Sequence, residues 1–162
     1  MTTLTVWRFD SPDGAARAAA VLAALVAEES LGLHDAAVVE WEARRRKPRT
    51  RQLTGPGLEA ELGEGFWGLL FGLTFAVPLL GAAVGSAGGA IVDALADVGI
   101  EDRFINRVRD QVTPGTSALV VLGPATDVDR VHAAVGVGPR ADLIVAELDA
   151  AQETALREVF AD

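Results

Sequence analysis

The chain has 162 residues, enough for one compact domain and marginal for two; half are hydrophobic, and the formal net charge is −9 at pH 7. That acidic balance argues against general nucleic-acid binding, which goes with a basic domain. Cysteine is absent, which removes disulfides, thiolate metal sites and cysteine nucleophiles, and two histidines, His34 and His132, are too few for a histidine-rich metal site.

The opening MTTLTVWRFDSPDG has no basic stretch followed by an apolar run, which predicts no secretory signal and residence in the cytoplasm. Within it, TLTVWRF sets Leu4 and Val6 against Thr5, Trp7 and Phe9 and predicts a strand. DSPDG then predicts a helix start, with Ser11 as N-cap and Pro12 at the first helical position. Ala15, Ala18, Ala19, Leu22, Leu25, Val26 and Ser30 follow one face at helical spacing, and Gly32 is expected to close the helix. HDAAVVEWEA predicts a second strand over 34–43, with Val39 and Trp41 facing one way and Glu40 and Glu42 the other, as in a half-buried sheet.

RRRKPRTR follows, in which Arg44, Arg45, Arg46, Lys47, Arg49 and Arg51 are cationic; with Pro48 it predicts an exposed tip or hairpin, and TGPG a break. A long helical region is expected from about 58 to 98. GIEDRFINRVRDQV predicts an amphipathic helix carrying Phe104, Ile105, Val108 and Val112 on one side. TSALVVLG, apolar on both faces, reads as an interior strand, PATDVDRVHAAV as a helix capped by Thr126, and ADLIVAELD as the last strand. The tail opens with Asp149 and Gln152 at capping-box spacing and puts Leu156, Val159 and Phe160 on one face.

With residues 44–115 set aside, the order is β-α-β-β-α-β plus a terminal helix, the ferredoxin-like split βαβ arrangement of an α+β protein. The expected organisation is 1–43 as the first half of that domain, 44–57 as a basic loop, 58–98 as an inserted helical hairpin, and 99–162 as the amphipathic helix and second half.

From Gly65 to Val92, GFWGLLFGLTFAVPLLGAAVGSAGGAIV contains no charged residue. One straight helix of that length would measure about 42 Å and exceed a hydrocarbon core of roughly 30 Å. A single crossing would put the two halves of one sheet on opposite sides of a bilayer, so the segment crosses an even number of times or not at all. Pro78 predicts a break at its middle and hence a helical hairpin. Small residues recur every fourth position, at Gly68, Gly72 and Ala76 and again at Gly81, Gly85 and Gly89, forming a smooth groove on each arm. Glycine costs about 1 kcal/mol per helical residue relative to alanine, so such a series needs close packing to offset it. Three partners for the grooves compete: the hairpin's own arms, lipid, and other copies of the chain, the last being the favoured reading. Glu59, Glu61 and Glu64 precede the segment, and Asp93 and Asp97 follow it; they read as a solvated acidic rim rather than an ion site. The basic tip reads as a contact for an anionic surface, either lipid headgroups or the acidic face of a neighbouring subunit, or as a solvated loop; nucleic acid fits poorly with the net acidic chain.

No G-x-x-x-x-G-K-[ST], G-x-S-x-G or H-E-x-x-H occurs, and no G-x-G-x-x-G follows a strand. Ser86 has no histidine nearby, and His132 (beside Asp129) and His34 read as solvent-facing. No catalytic residue, cofactor or metal is expected. The expected role is a non-enzymatic homo-oligomer; the runner-up is a protein at the inner face of the plasma membrane, with the apolar hairpin inserted and the basic loop at anionic headgroups.

LTVWRFDSPDGA, LHDAAVVEW, GLLFGLTFAVPLLGAAVGSAGGA and above all DVGIEDRFINRVRDQVTPGTSAL resemble the domain-of-unknown-function 1269 family over essentially the full chain. These bacterial proteins are usually catalogued as predicted membrane proteins. The resemblance implies no established activity and transfers no catalytic residues. The family is also similar to bacterial stress proteins with a glycine-zipper insert.

Overall fold

The computed structural model describes residues 1–55, 58, 62, 64–75, 95–135 and 143–160. Five strands form one open antiparallel sheet: β1 (Thr2–Phe9), β2 (Asp35–Glu40), β3 (Arg49–Gln52), β4 (Ser117–Pro124) and β5 (Ile144–Leu148), in the order β3-β2-β4-β1-β5. β4 pairs with β1 on one side, Val6 opposite Val120, and with β2 on the other, Ala37 opposite Val120. β1 and β2 therefore run in the same direction with β4 between them, and α1 (Gly14–Ala27) connects them. α2 (Glu64–Phe75), α3 (Asp102–Gln111), α4 (Val128–Val135) and α5 (Ala150–Phe160) follow, with a 3₁₀ turn at Ala125–Asp127, and residues 95–97 are helical as well.

Period-two alternation sorts the strand side chains between two cores. Trp7, Ala36, Val38, Leu119 and Val121 meet α1 and α4, with Val128 and Val131 packed among them. Leu4, Val6, Ala37, Val39, Val120 and Ile144 meet the other layer, built from Phe66, Trp67, Leu70 and Phe71 of α2, Phe104, Ile105 and Val108 of α3, and Leu156 of α5. The half-buried sheet expected from Glu40 and Glu42 is therefore corrected: Ala36, Ala37, Val38 and Val39 are all essentially inaccessible. The polar alternation begins only where β2 ends, and the chain between β2 and β4 supplies the cover for the second face.

The termini of α1 also differ from expectation. Its N-cap is Asp13, whose side chain makes no capping bond. The Ala15 N–H instead donates to the Ser117 hydroxyl at 2.9 Å, and that hydroxyl donates to Ser11 O at 2.6 Å, so a residue of β4 satisfies the helix start. Gly14 sits where a Cβ would come within 2.6 Å of Phe9 Cβ. The helix ends at Ala27, before Gly32. Glu29, at φ 61°, takes the left-handed position, with its N–H donating to Val26 O and that of Ser30 to Leu25 O, both at 3.0 Å. These two bonds form a Schellman motif with glutamate where glycine is usual.

Other expectations meet the structure directly. Asp149 and Gln152 form a reciprocal capping box, Gln152 N to Asp149 Oδ1 at 2.7 Å and Asp149 N to Gln152 Oε1 at 2.9 Å. Phe104, Ile105, Val108 and Val112 are buried as the periodicity predicts. Thr126 is not a cap: it lies in the 3₁₀ turn, and neighbouring Asp127 accepts the Gly32 N–H at 3.0 Å, tying the turn to the end of α1. Helix does not begin at Leu58, which pairs with Gly55 in an isolated bridge. The side chains of Val159 and Phe160 lie outside the described residues.

Candidate functional site

Two sequence features reach the surface near each other: α2, which opens the apolar segment, and the basic hairpin between β2 and β3. α2 is apolar all round, and such a helix forms stably only when most of its surface is covered. Phe66, Trp67, Leu70 and Phe71 are at most 5% exposed. Trp67 stacks on Phe71 with centroids 5.7 Å apart and meets Phe66 edge-on at 4.9 Å. Its indole N–H is buried without an acceptor among the described residues.

Both ends of α2 are tied by polar groups that the sequence reading missed. Ahead of the helix, the fully buried Asp35 carboxylate accepts from Leu62 N at 2.9 Å, Ala36 N at 2.8 Å and Gln52 Nε2 at 3.1 Å; Gln52 Nε2 also donates to Leu62 O at 2.9 Å. At the far end, Arg109 of α3 donates to Leu73 O and Thr74 O at 3.0 and 2.9 Å, placing a cation at the carbonyl end of the described helix, where the dipole favours it. The one available signal was an aspartate entering an otherwise apolar strand in LHDAAVV; nothing in the sequence pointed to Arg109.

The glycine rhythm divides within α2. Gly68 is exposed, with no atom among the described residues within 4 Å of where a Cβ would stand, whereas Gly72, one turn on, is buried. Ala76, Pro78, Gly81, Gly85 and Gly89 lie outside the described residues, as do Glu59, Glu61 and Asp93 and the side chain of Glu64; Asp97 is exposed.

The basic stretch forms the β2–β3 hairpin, and β3 is an edge strand. Arg44, Arg45, Arg46, Lys47, Arg49 and Arg51 are all exposed. Arg45 lies 3.7 Å from Glu42 and Arg51 3.5 Å from Glu40; Arg44, Arg46, Lys47 and Arg49 have no carboxylate partner among the described residues. The root of the hairpin is held by Trp41, whose indole N–H donates to Arg45 O at 2.9 Å and whose ring meets Phe75 of α2 edge-on at 5.8 Å.

Neither histidine is the free surface group expected. His132 is half-buried and stacks on Trp7 at 5.9 Å, and His34 lies 3.4 Å from Arg157 and 3.9 Å from Glu153. Among the described residues no group of three or more His, Asp or Glu side chains is placed to hold a metal ion, and no helix is long and apolar enough to cross a membrane.

These features define an α+β protein with an open antiparallel sheet, covered on both faces and carrying a basic edge. Residues 61–161 match the model of the family described as protein of unknown function (DUF1269), and the chain belongs to that family. The match leaves the first 60 residues outside it, so it is narrower than the resemblance in sequence. No curated protein and no solved structure matches the chain.

Proposed function

We propose that the chain is a non-enzymatic assembly protein that forms homo-oligomers through the glycine-lined face of its apolar segment, mounted on a ferredoxin-like split βαβ sheet. The strand order, with β4 between the parallel pair β1 and β2, supports the ferredoxin-like reading. The non-enzymatic reading is supported by the two histidines, both engaged in packing and polar contacts within the fold.

One observation carries the assembly reading. Gly68 is the only exposed position from Phe66 to Phe75, and open space lies beside it. A glycine there costs about 1 kcal/mol of helix stability that no contact among the described residues requires. A second helix approaching that dent gives it a reason, and the same four-residue rhythm continues in sequence through Gly89.

The test uses the full chain without detergent. Light scattering is expected to give a discrete oligomer. Gly68→Leu, whose Cβ meets no atom among the described residues, should lower the mass while leaving the circular-dichroism melt in place; an unchanged mass removes the glycine face from the assembly. A second reading, insertion of the apolar hairpin with the basic loop at anionic headgroups, is favoured by the four exposed cations that have no described carboxylate partner. Recovery of the protein only with floated vesicles would support it against the soluble oligomer.

A further inference from the structure

We propose that the basic β2–β3 hairpin docks on the Glu28–Glu29 corner of a second copy of the chain. The contact is head-to-tail and separate from the glycine face; it rests on the chain self-associating but not on that face being used.

The hairpin is presented as a formed surface. Trp41 N donates to Thr116 O at 3.0 Å, Gly115 N to Trp41 O at 2.7 Å, and the Trp41 indole closes the loop onto Arg45 O at 2.9 Å. Arg44, Arg46, Lys47 and Arg49 are left exposed on it within six positions. The whole chain carries −9, the hairpin's six cations contribute +6, and the rest therefore stands at −15. That remainder repels an extended polyanion such as nucleic acid and attracts the hairpin of another copy.

Glu28 and Glu29 are the consecutive carboxylates best matched to those cations. Both are exposed, neither lies within ion-pair distance of a cation among the described residues, and they follow a helix with no basic residue in its last turn. Two negative charges at the negative pole of α1 are opposed by the helix dipole, so an incoming cation relieves more there than at a solvated site. The nearby Arg130 is directed to Ser30 O at 3.0 Å and to Asp127 at 4.0 Å.

The subunit cannot satisfy itself. The hairpin hangs from the Thr116 end of β4, whereas the chain leaving α1 returns at its other end, where His34 N donates to Leu122 O. The six residue steps from Thr116 to Leu122 separate the two by about 20 Å. The tip of one copy therefore meets the corner of another, a heterologous contact.

The full chain, measured by light scattering at low and high ionic strength, tests this. Arg44→Glu, Arg46→Glu, Lys47→Glu and Arg49→Glu together should weaken assembly at least about tenfold at low salt with the melting temperature near wild type, and high salt should weaken the wild-type contact likewise. Glu28→Lys with Glu29→Lys should do the same. An equimolar mixture of the two variants should assemble again, because every tip then faces a corner of opposite sign. Wild-type assembly by either variant, or a mixture that stays dissociated, overturns the proposal. Loss of flotation with anionic vesicles, at unchanged mass, assigns the hairpin to lipid and overturns it as well. Gly68→Leu separates the two contacts: if it changes nothing while the charge variants dissociate, only the glycine face fails.

Discussion

Asparagine in place of Asp35 is the most informative single change for the fold, because it keeps the shape and alters only what the oxygens can accept. Asp35 is fully buried, and both its oxygens are engaged: Oδ1 by Ala36 N at 2.8 Å, Oδ2 by Leu62 N at 2.9 Å, and each by Gln52 Nε2 at 3.1 Å. Whichever way the amide is turned, its NH₂ faces one of the two backbone N–H groups. One charge-assisted bond of about 1.5–3 kcal/mol is then lost, and a buried donor is left unpaired at about 1–3 kcal/mol. The lower cost of burying a neutral amide offsets part of this. The net expectation is a destabilisation of about 2–4 kcal/mol, a large share of the ~5–15 kcal/mol typical of a domain. Urea unfolding would measure it, and amide exchange would localise it: the Leu62 N–H should lose protection ahead of the central strands. Combining the change with Gln52→Ala should give less than the sum of the two single effects, since both act on one network. A midpoint within about 0.5 kcal/mol of wild type would refute the view that this carboxylate anchors the approach to α2.

Two further expectations concern α1. Glu29→Gly should stabilise the chain by about 0.5–1 kcal/mol: an L-residue in the left-handed region costs about 1–2 kcal/mol, and the greater freedom of glycine in the unfolded chain takes back part of it. A lowered urea midpoint would show that Glu29 makes a favourable contact instead. Ser117→Ala should cost about 1–2 kcal/mol by removing the acceptor of Ala15 N–H and the donor to Ser11 O, whereas Ser11→Ala should stay within about 0.5 kcal/mol because its side chain makes no capping bond. Equal effects of the two substitutions in thermal melts would contradict the long-range cap.

The elements were legible where burial and periodicity coincide. Leu4 and Val6 against Trp7, the two-faced apolar run of β4, and Phe104, Ile105 and Val108 on one side of α3 all follow from repeat and polarity. The Asp149–Gln152 box was legible because its partners are three residues apart. Non-local pairings were not: Ser117 lies 102 residues from Ala15, and Asp35 is 27 residues from Leu62. Helix ends were misplaced for the same reason, since Ser11 and Gly32 are good local signals that lost to a cap from β4 and to a glutamate that adopts the left-handed turn. The basic hairpin was recognisable as charge around Pro48, but only pairing with β2 reveals that Arg49 and Arg51 sit on an edge strand.

The location of α2 also narrows what the apolar segment is free to do. Read as sequence, Phe66, Trp67, Leu70 and Phe71 belong to one uninterrupted hydrophobic stretch with Gly81 to Gly89; in the fold they share a core with Leu4, Val6 and Val120. Each such buried side chain contributes about 1.5–3 kcal/mol, so the four together are worth about 6–12 kcal/mol, comparable with the stability of an entire domain. Lifting α2 into lipid would return that burial to its own side chains but not to the core residues it leaves, nor to the Leu73 and Thr74 carbonyls that Arg109 holds. A partner that leaves this core intact, whether lipid or another copy, must therefore meet α2 from the side on which Gly68 is open.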